Sequence, residues 1–123
     1  MEFKKNQTIY LQIADFICEN ILTEKWPVEE KIASVRELAA MIEVNPNTVM
    51  RTYTYLQDQG IIYNKRGIGF FVATDAPSSI QNIEKNNFLK TELPEIFKKM
   101  EMLKMDFSEL ESLYKKYAQN GKH

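Results

Sequence analysis

Apolar residues recur at helical spacing in three stretches of the first half of the chain. In the first stretch Ile13, Ile17 and Ile21 lie four residues apart, which places them on one side of a helix. The second and third stretches repeat the pattern with Val35, Leu38, Ala39 and Ile42, and with Val49, Tyr53 and Leu56. The pattern predicts three short helices that bury these faces against one another.

Polar residues mark where the second and third helices begin. Ser34 stands three residues before Glu37, the spacing of a capping box. Asn45 followed by Pro46 is a typical helix start, because asparagine caps free amides and proline fits the first helical position. Gly60 then predicts a left-handed end to the third helix.

Two short runs rich in β-branched and aromatic residues follow, at 61–64 and 70–73. The segment Lys65-Arg66-Gly67-Ile68-Gly69 joins them, and its glycines permit a tight tip. Three helices followed by such a hairpin predict a winged helix-turn-helix.

Several polar side chains fall outside the predicted apolar faces. Arg36 points away from the face of the second helix, and Asn47 and Arg51 lie one turn apart on the third, opposite its buried side. An amide and a guanidinium can each form two parallel hydrogen bonds to a base edge in a major groove. Thr48, with free backbone amides at the start of the third helix, would suit a phosphate.

The wing tip adds Lys65 and Arg66, beside Gly67, which together would enter a minor groove or clamp phosphates. Taken singly, an exposed arginine or asparagine usually belongs to a solvated face. Their combination with a basic tip, on one side of a single three-helix unit, favours DNA binding.

The order and spacing of these residues over 8–73 resemble the DNA-binding domain of GntR-family transcription regulators. The matching segments are Tyr10-Leu11-Gln12-Ile13, Ile32 to Ala39, Val44 to Val49, Arg51, Tyr53, Leu56, Gly60-Ile61 and Arg66 to Val72. The resemblance implies a homodimer on a palindromic double-stranded operator, with the third helix in the major groove and the wing in the minor groove. It implies DNA contacts by Arg36, Asn47, Thr48, Arg51, Arg66 and Gly67.

The chain departs from the family pattern at two kinds of position. Turn residues differ at 28–30 and at Ala33, where no DNA contact is expected. Pro46 and Met50 stand where many members carry arginine, so the resemblance assigns no base contact there. The Asn-Pro-Asn-Thr-Val form is similar to the YtrA subgroup, whose members often control neighbouring transporter operons. A transporter operon is therefore a candidate target.

Residues 76–123 carry an apolar stripe with alternating spacings of three and four, the register of a helix packed on another helix. A small protein has little interior to cover these side chains, so a partner subunit is the expected cover. The predicted dimer interface consists of Leu93, Ile96, Phe97, Met100, Leu103, Phe107, Leu110 and Tyr114. The alternative is that the tail folds back on the first domain as ordinary core.

The tail is predicted to contain two helices rather than one. Asp106-Phe107-Ser108-Glu109 has the form of a helix start, so a break is expected near Met105, and Pro94 kinks or begins the first helix. A continuous coiled coil is the second possibility. Residues 74–79 form the predicted linker. The fold prediction is thus mainly α with a small β-wing: a winged helix-turn-helix domain over 1–75 and a two-helix dimerisation tail over 76–123.

The net charge of −1 would by itself argue against a nucleic-acid partner. Between Lys31 and Phe71, however, five cations face three acids, so the predicted DNA-binding region is basic. The expected consequence is moderate affinity per subunit and dependence on dimerisation.

Other functional classes find little support in the sequence. No apolar run is long enough for a membrane span, and no secretion signal follows the N-terminus, which predicts a soluble cytoplasmic protein without a membrane partner. The single cysteine, Cys18, fits a packed side chain, and no cluster has metal-ligand spacing, so no cofactor or metal is predicted. No nucleophile has an adjacent base, which argues against an enzyme. Aromatic residues of the tail could line an effector site or simply pack, and the sequence identifies no effector.

Two hypotheses of different class remain. The favoured one is a dimeric, sequence-specific DNA-binding regulator, most simply a repressor. The alternative is a protein-interaction module that uses a winged helix and an apolar tail without sequence-specific DNA binding, for which Arg51 would be dispensable.

Overall fold

The computed structural model describes residues 7–121. Its contacts divide the chain into two compact units, one up to Ile83 and one from Glu84 onward. The elements are α1 (Ile9–Leu22), α2 (Val35–Ile42), α3 (Pro46–Asp58), β1 (Ile62–Lys65), β2 (Gly69–Val72), α4 (Ala76–Asn87), a π turn (Phe88–Glu92), α5 (Leu93–Met102) and α6 (Phe107–Asn120). The predicted fold class is confirmed: mostly helical, with one small antiparallel sheet.

The core of the first unit forms from the predicted apolar faces of α1, α2 and α3. Ile13, Ile17, Leu38, Tyr53 and Leu56 are all completely buried. Of the other residues that the spacing predicted, Ile21, Ala39 and Val49 are also buried, whereas Val35 and Ile42 are half-buried and pack against this core. Helical periodicity was sufficient here because each helix has one continuous apolar side that only its neighbours can cover.

The predicted helix starts are also confirmed. The Glu37 amide donates to Ser34 Oγ at 3.1 Å, and the Ser34 amide donates to Glu37 Oε1 at 2.8 Å, which completes the capping box of α2. Asn45 caps α3 through Oδ1, which accepts from the Asn47 amide at 2.7 Å. Glu43, in the turn between these helices, adopts a left-handed conformation with φ 56°.

The wing has the predicted hairpin, with both strands displaced by one residue relative to the predicted runs. β1 and β2 pair in an antiparallel register that opposes Ile62 to Val72 and Lys65 to Gly69. A turn over residues 66–68 closes the hairpin, and the Ile68 amide donates to the Lys65 carbonyl at 2.9 Å across it. The sequence did not predict that the segment around Lys31 adds a bridge to β2 on its other side.

The predicted linker over 74–79 was wrong, because α4 begins at Ala76. Ala76 and Ile80 are buried in the core of the first unit, whose contacts extend to Ile83. Proline and serine suit a turn, but proline and capping residues equally suit the first turn of a helix. The segment forms a helix start rather than a turn because Ala76 and Ile80 are buried in the core of the first unit.

The second unit contains the predicted break between two helices. α5 ends at Met102, and α6 begins after Asp106, whose Oδ1 accepts from the Glu109 amide at 3.0 Å. These hydrogen bonds hold the pKa of the Asp106 carboxyl below its usual value. An uninterrupted helix through this region was therefore the wrong alternative.

Pro94 lies in the first turn of α5, directly after the π turn. A proline ring clashes with the carbonyl one turn earlier and has no amide to donate. The wider π turn before it accommodates this loss, and the Thr91 hydroxyl donates to the Asn87 carbonyl at 2.6 Å. The proline thus begins α5.

Large apolar side chains in α6 and directly after α5 remain exposed. Leu103 is 69% exposed, Phe107 70% and Tyr114 67%. No described residue of either helix is buried. Within residues 7–121, no helix is both long enough and apolar enough to cross a membrane.

Candidate nucleic-acid interface

Three of the predicted contact residues meet in a notch of the first unit. Asn47, Thr48 and Arg51 on α3, together with residues 8–10 at the start of α1, line a cavity of about 280 Å³. Asn47 and Arg51 are exposed and lie one turn apart, as the periodicity predicted. The notch thus presents an amide, a hydroxyl and a guanidinium from one helix face.

Arg51 has a neighbour that the sequence did not reveal. Its guanidinium carbon lies 4.0 Å from the centre of the Tyr10 ring. Such stacking is favourable, because the face of an aromatic ring is negative. Tyr10 could not be assigned from periodicity, since its contact with Arg51 depends on how α1 packs against α3.

The backbone at the start of α3 differs from the expected phosphate cradle. The first three backbone amides of α3 already donate to Asn45. The Asn47 amide donates to its side chain, and the Thr48 and Val49 amides donate to its carbonyl at 3.0 Å and 3.2 Å. Pro46 has no amide to offer. The expectation of free amides there was therefore wrong, and the Thr48 hydroxyl remains the candidate donor. The cap that the sequence correctly predicted is what occupies the amides.

Arg36 and the wing tip lie outside the notch. Arg36 is exposed on α2, directly beside Glu37, whose pKa is lowered because the Ser34 amide and hydroxyl both donate to its carboxylate. Arg66 and Gly67 form the exposed turn of the wing. Gly67 has φ 79°, a conformation that a side chain disfavours. Arg66 is thus the cation at the tip.

Lys65 lies differently from the two adjacent tip cations that the sequence suggested. It is the last residue of β1, and its ammonium lies 4.3 Å from the centre of the Phe71 ring. Its side chain therefore lies along the wing rather than beyond the turn.

Lys31 is a second lysine that lies against the wing. A methyl group added at Gly69 would meet Cε of Lys31 at 2.9 Å, so Lys31 crosses the space that a side chain would fill. Gly69 pairs with Lys65 in the hairpin register, which places the two lysines on one face. Sequence analysis counted the charge of Lys31 but gave it no role. Its only signal was a lysine shortly before the capping box, which does not locate it on the wing.

No described cation of the first unit forms an ion pair with a carboxylate within 4.0 Å. Among the described residues, both ion pairs within 4.0 Å lie in the second unit, between Glu95 and Lys98 and between Glu111 and Lys115. No carboxylate of the described chain therefore neutralises Arg36, Arg51 or Arg66. No group of three His, Cys, Asp or Glu side chains within residues 7–121 is arranged to hold a metal ion.

A strap of hydrogen bonds fixes the base of the wing. The Glu29 amide donates to the Val72 carbonyl at 2.8 Å, and the Tyr63 hydroxyl donates to Glu29 Oε1 at 2.7 Å. The Thr74 hydroxyl donates to the other oxygen of the same carboxylate. These donors, Thr74 foremost, lower the pKa of Glu29, and the carboxylate in turn raises the pKa of Tyr63.

Comparison with known proteins agrees with this architecture. Residues 9–72 match the model of the bacterial regulatory proteins of the gntR family. The uncharacterized HTH-type transcriptional regulator YhcF of Bacillus subtilis is 33% identical over 120 residues, which is 98% of each chain. The HTH-type transcriptional repressor YtrA of Bacillus subtilis is 36% identical over 77 residues, or 63% of this chain and 59% of that protein.

A solved structure gives the same result in three dimensions. The crystal structure of a putative GntR-family transcriptional regulator from Bacteroides thetaiotaomicron has a TM-score of 0.83 and 47% identity, and the match covers 94% of this chain and 100% of that one. The family and these relatives are transcriptional regulators and not enzymes. The chain therefore belongs to the GntR family, as a YtrA-like transcriptional regulator with a winged helix-turn-helix DNA-binding domain.

Proposed function

We propose that this protein is a repressor that binds a palindromic operator as a homodimer. The observation that carries the proposal is the exposed face of α3, where Asn47 and Arg51 lie one turn apart without a carboxylate partner among the described residues. This face belongs to the DNA-binding domain of a regulator family. A guanidinium recognises guanine and an amide recognises adenine in the major groove.

The other contacts are assigned by their chemistry. Arg36 on α2 and the Thr48 hydroxyl are assigned to phosphates, whose contacts set the register of the protein on DNA. Arg66 at the wing tip binds the minor groove or its phosphates, and Gly67 allows the backbone to approach. Lys65 and Lys31, which lie on one face of the wing, add positive charge next to the DNA backbone.

The proposed dimer forms through the tail. Leu93, Ile96, Phe97 and Met100 in and along α5, and Leu103, Phe107, Leu110 and Tyr114 after it, supply the interface. Five of these side chains are exposed in the single chain, those of Ile96, Phe97, Leu103, Phe107 and Tyr114, and the other three are half-buried. This exposure supports the assignment, since large contiguous apolar surface is unusual on a soluble monomer. Two half-sites follow from two subunits, because operator symmetry mirrors protein symmetry.

Repression is supported by the YtrA relative, which is named a repressor. A bound dimer on an operator that overlaps a promoter would exclude polymerase. The resemblance to that subgroup makes a transporter operon the first target to examine.

The proposal is tested by selecting bound sequences from a random duplex pool at physiological salt. The wild type is compared with Arg51→Ala and with Lys116→Ala, which removes one positive charge from α6 as a control. The wild type and the control should both enrich one pseudo-palindrome, whereas Arg51→Ala should lose preference at two symmetric positions, with a cost of about 1 to 3 kcal/mol. Enrichment of no sequence by the wild type would contradict the proposal and favour the protein-interaction module.

A further inference from the structure

Tyr10 is held by three residues of α3 at once. Arg51 stacks on its ring, with the guanidinium carbon 4.0 Å from the ring centre. The Thr52 hydroxyl donates to the Tyr10 carbonyl at 2.7 Å. Tyr55, one helical turn after Arg51, places its ring edge-on to Tyr10 with centres 6.2 Å apart. The ring of a residue in α1 is thereby fixed relative to one side chain of α3.

The hydrogen bond from Thr52 ties the first turn of α1 to α3. Thr52 is completely buried, and its hydroxyl lies within reach of both the Tyr10 carbonyl and the Thr48 carbonyl at 3.2 Å. If the first turn of α1 moved away from α3, the shorter of these two hydrogen bonds would break and the hydroxyl would keep only the Thr48 carbonyl of its own helix. The contact of the Tyr10 ring with Arg51 has a different character, because Arg51 is exposed and its cation is not part of the core.

Stacking leaves the hydrogen-bonding edge of a guanidinium unused. Arginine presents five donors in the plane of the group, whereas its contact with a ring uses the face. The same group can therefore stack on Tyr10 and donate two parallel hydrogen bonds to guanine. Because Tyr10 and Arg51 line the notch that also contains Asn47 and Thr48, the stacked guanidinium is adjacent to the other proposed contacts.

A free arginine side chain loses much of its rotamer freedom when it binds. Restriction of Arg51 before DNA arrives removes part of that cost and limits the directions in which its donors point. A restricted donor also discriminates better against a wrong base, because it cannot reorient to meet another acceptor.

We infer that Tyr10 is a positioning residue for base selection, and that its ring holds Arg51 in the orientation that recognises one operator base pair. The inference rests on the proposed operator binding by α3. It assigns a role in specificity to a residue of α1, outside the helix-turn-helix and the wing.

The test uses the intact protein with its tail, the selected operator and the same operator altered at the base pair that Arg51→Ala no longer distinguishes. Tyr10→Leu keeps apolar bulk but removes the ring, and Tyr10→Phe keeps the ring as its matched control. Tyr10→Leu should lower discrimination between the two duplexes about two- to five-fold, in line with an exposed cation–π contact. Tyr10→Phe should discriminate like the wild type. Tyr10→Leu combined with Arg51→Ala should be no worse than Arg51→Ala alone.

A second measurement needs no substitution in α1. In the free protein the side-chain protons of Arg51 should resonate upfield in NMR spectra because of the Tyr10 ring current, and they should stay upfield when operator is added. Their return to ordinary positions on operator binding would show that DNA breaks the stack, and it would overturn the inference.

The possible failures are distinguishable. If the wild type distinguishes the two duplexes and Tyr10→Leu does so equally well or better, Tyr10 has no positioning role, while the proposed operator binding stands. If the wild type enriches no sequence at all, operator binding and the role of Tyr10 fall together.

Discussion

Tyr53 shows how one side chain of α3 fixes the elements around it. Its hydroxyl donates to the Ala33 carbonyl at 2.6 Å, and its ring meets Phe70 of the wing edge-on at 4.9 Å. Burial raises the pKa of Tyr53, so the hydroxyl keeps its proton and remains a donor at physiological pH. One residue thus links α3 to the segment before α2 and to the wing.

Arg66 is proposed to contact the DNA backbone, so its substitution should separate affinity from specificity. Arg66→Ala should weaken binding to all duplex sequences by similar factors and reduce the slope of log affinity against log salt by about one, because one phosphate contact is lost. Titration of specific and random duplexes at several salt concentrations measures this.

Lys116→Ala serves as the control for Arg66→Ala, since it removes the same charge from α6. An unchanged salt slope in Arg66→Ala, or a loss confined to the operator sequence, would contradict the assignment of Arg66 to the DNA backbone.

At the scale of elements, the wing is more than a two-stranded hairpin. An isolated hairpin is marginally stable in water. Here the segment before α2 pairs with β2: the Ile32 amide donates to the Phe70 carbonyl at 2.9 Å, and the Val72 amide donates to the Glu30 carbonyl at 3.1 Å. The Glu29 carboxylate accepts from Tyr63 of β1 and from Thr74 after β2, so it ties this segment to both strands at the base of the hairpin.

The strap predicts a specific pH dependence. The pKa of Glu29 is lowered in the folded protein, so its contribution to stability is present above the unfolded pKa and is lost as the pH falls through the folded value. Glu29→Gln should therefore lower Tm at neutral pH, and the difference from the wild type should shrink below about pH 4.5. Thermal unfolding of both proteins from pH 7 to pH 3 measures it.

Glu30→Gln, on the neighbouring residue, is the control for Glu29→Gln. If Glu30→Gln showed the same loss at neutral pH, or if the deficit of Glu29→Gln persisted unchanged at pH 3, the carboxylate would not be the stabilising group.

At the scale of the whole molecule, the two units differ in what covers their apolar residues. The first unit has a core of fully buried apolar side chains, whereas no described residue of α5 or α6 is buried in the single chain. A regulator whose local charge is modest gains operator affinity by linking two DNA-binding domains, because the second contact becomes effectively intramolecular. The tail is the segment whose surface would provide that linkage.

Leu103→Asp should convert the proposed dimer to a monomer and abolish tight operator binding. Leu103 is 69% exposed in the single chain, so the substitution should not disturb folding of the subunit, but it would place an unpaired charge in an apolar interface. Sedimentation velocity measures the oligomeric state, and titration of full and half operators measures the effect on binding.

Ser112→Asp is the matched control for Leu103→Asp, because it adds the same charge to α6 at a position outside the apolar stripe. It should remain dimeric. A Leu103→Asp protein that still sediments as a dimer, or a monomer that binds the palindrome as tightly as the wild type, would show that the tail interface is misplaced.

The sequence by itself determined the helices, their caps and the wing, because each depends on residues close together in the chain. Spacings of three and four fix an apolar face, and Ser34, Asn45 and Asp106 satisfy amides two or three residues away. The exposed positions of Arg36, Asn47 and Arg51 follow from the same periodicity. The segment at 74–79 misled because its residues suit a turn and a helix start equally.

Only the tertiary structure decided which distant residues meet. The stacking of Arg51 on Tyr10, the passage of Lys31 across Gly69 and the burial of Ala76 each join segments that are far apart in sequence. No local pattern encodes such contacts, because they depend on the packing angle and register between elements. Local sequence therefore determines which side chains are exposed on a helix or turn. Tertiary packing determines their neighbours and hence their orientation.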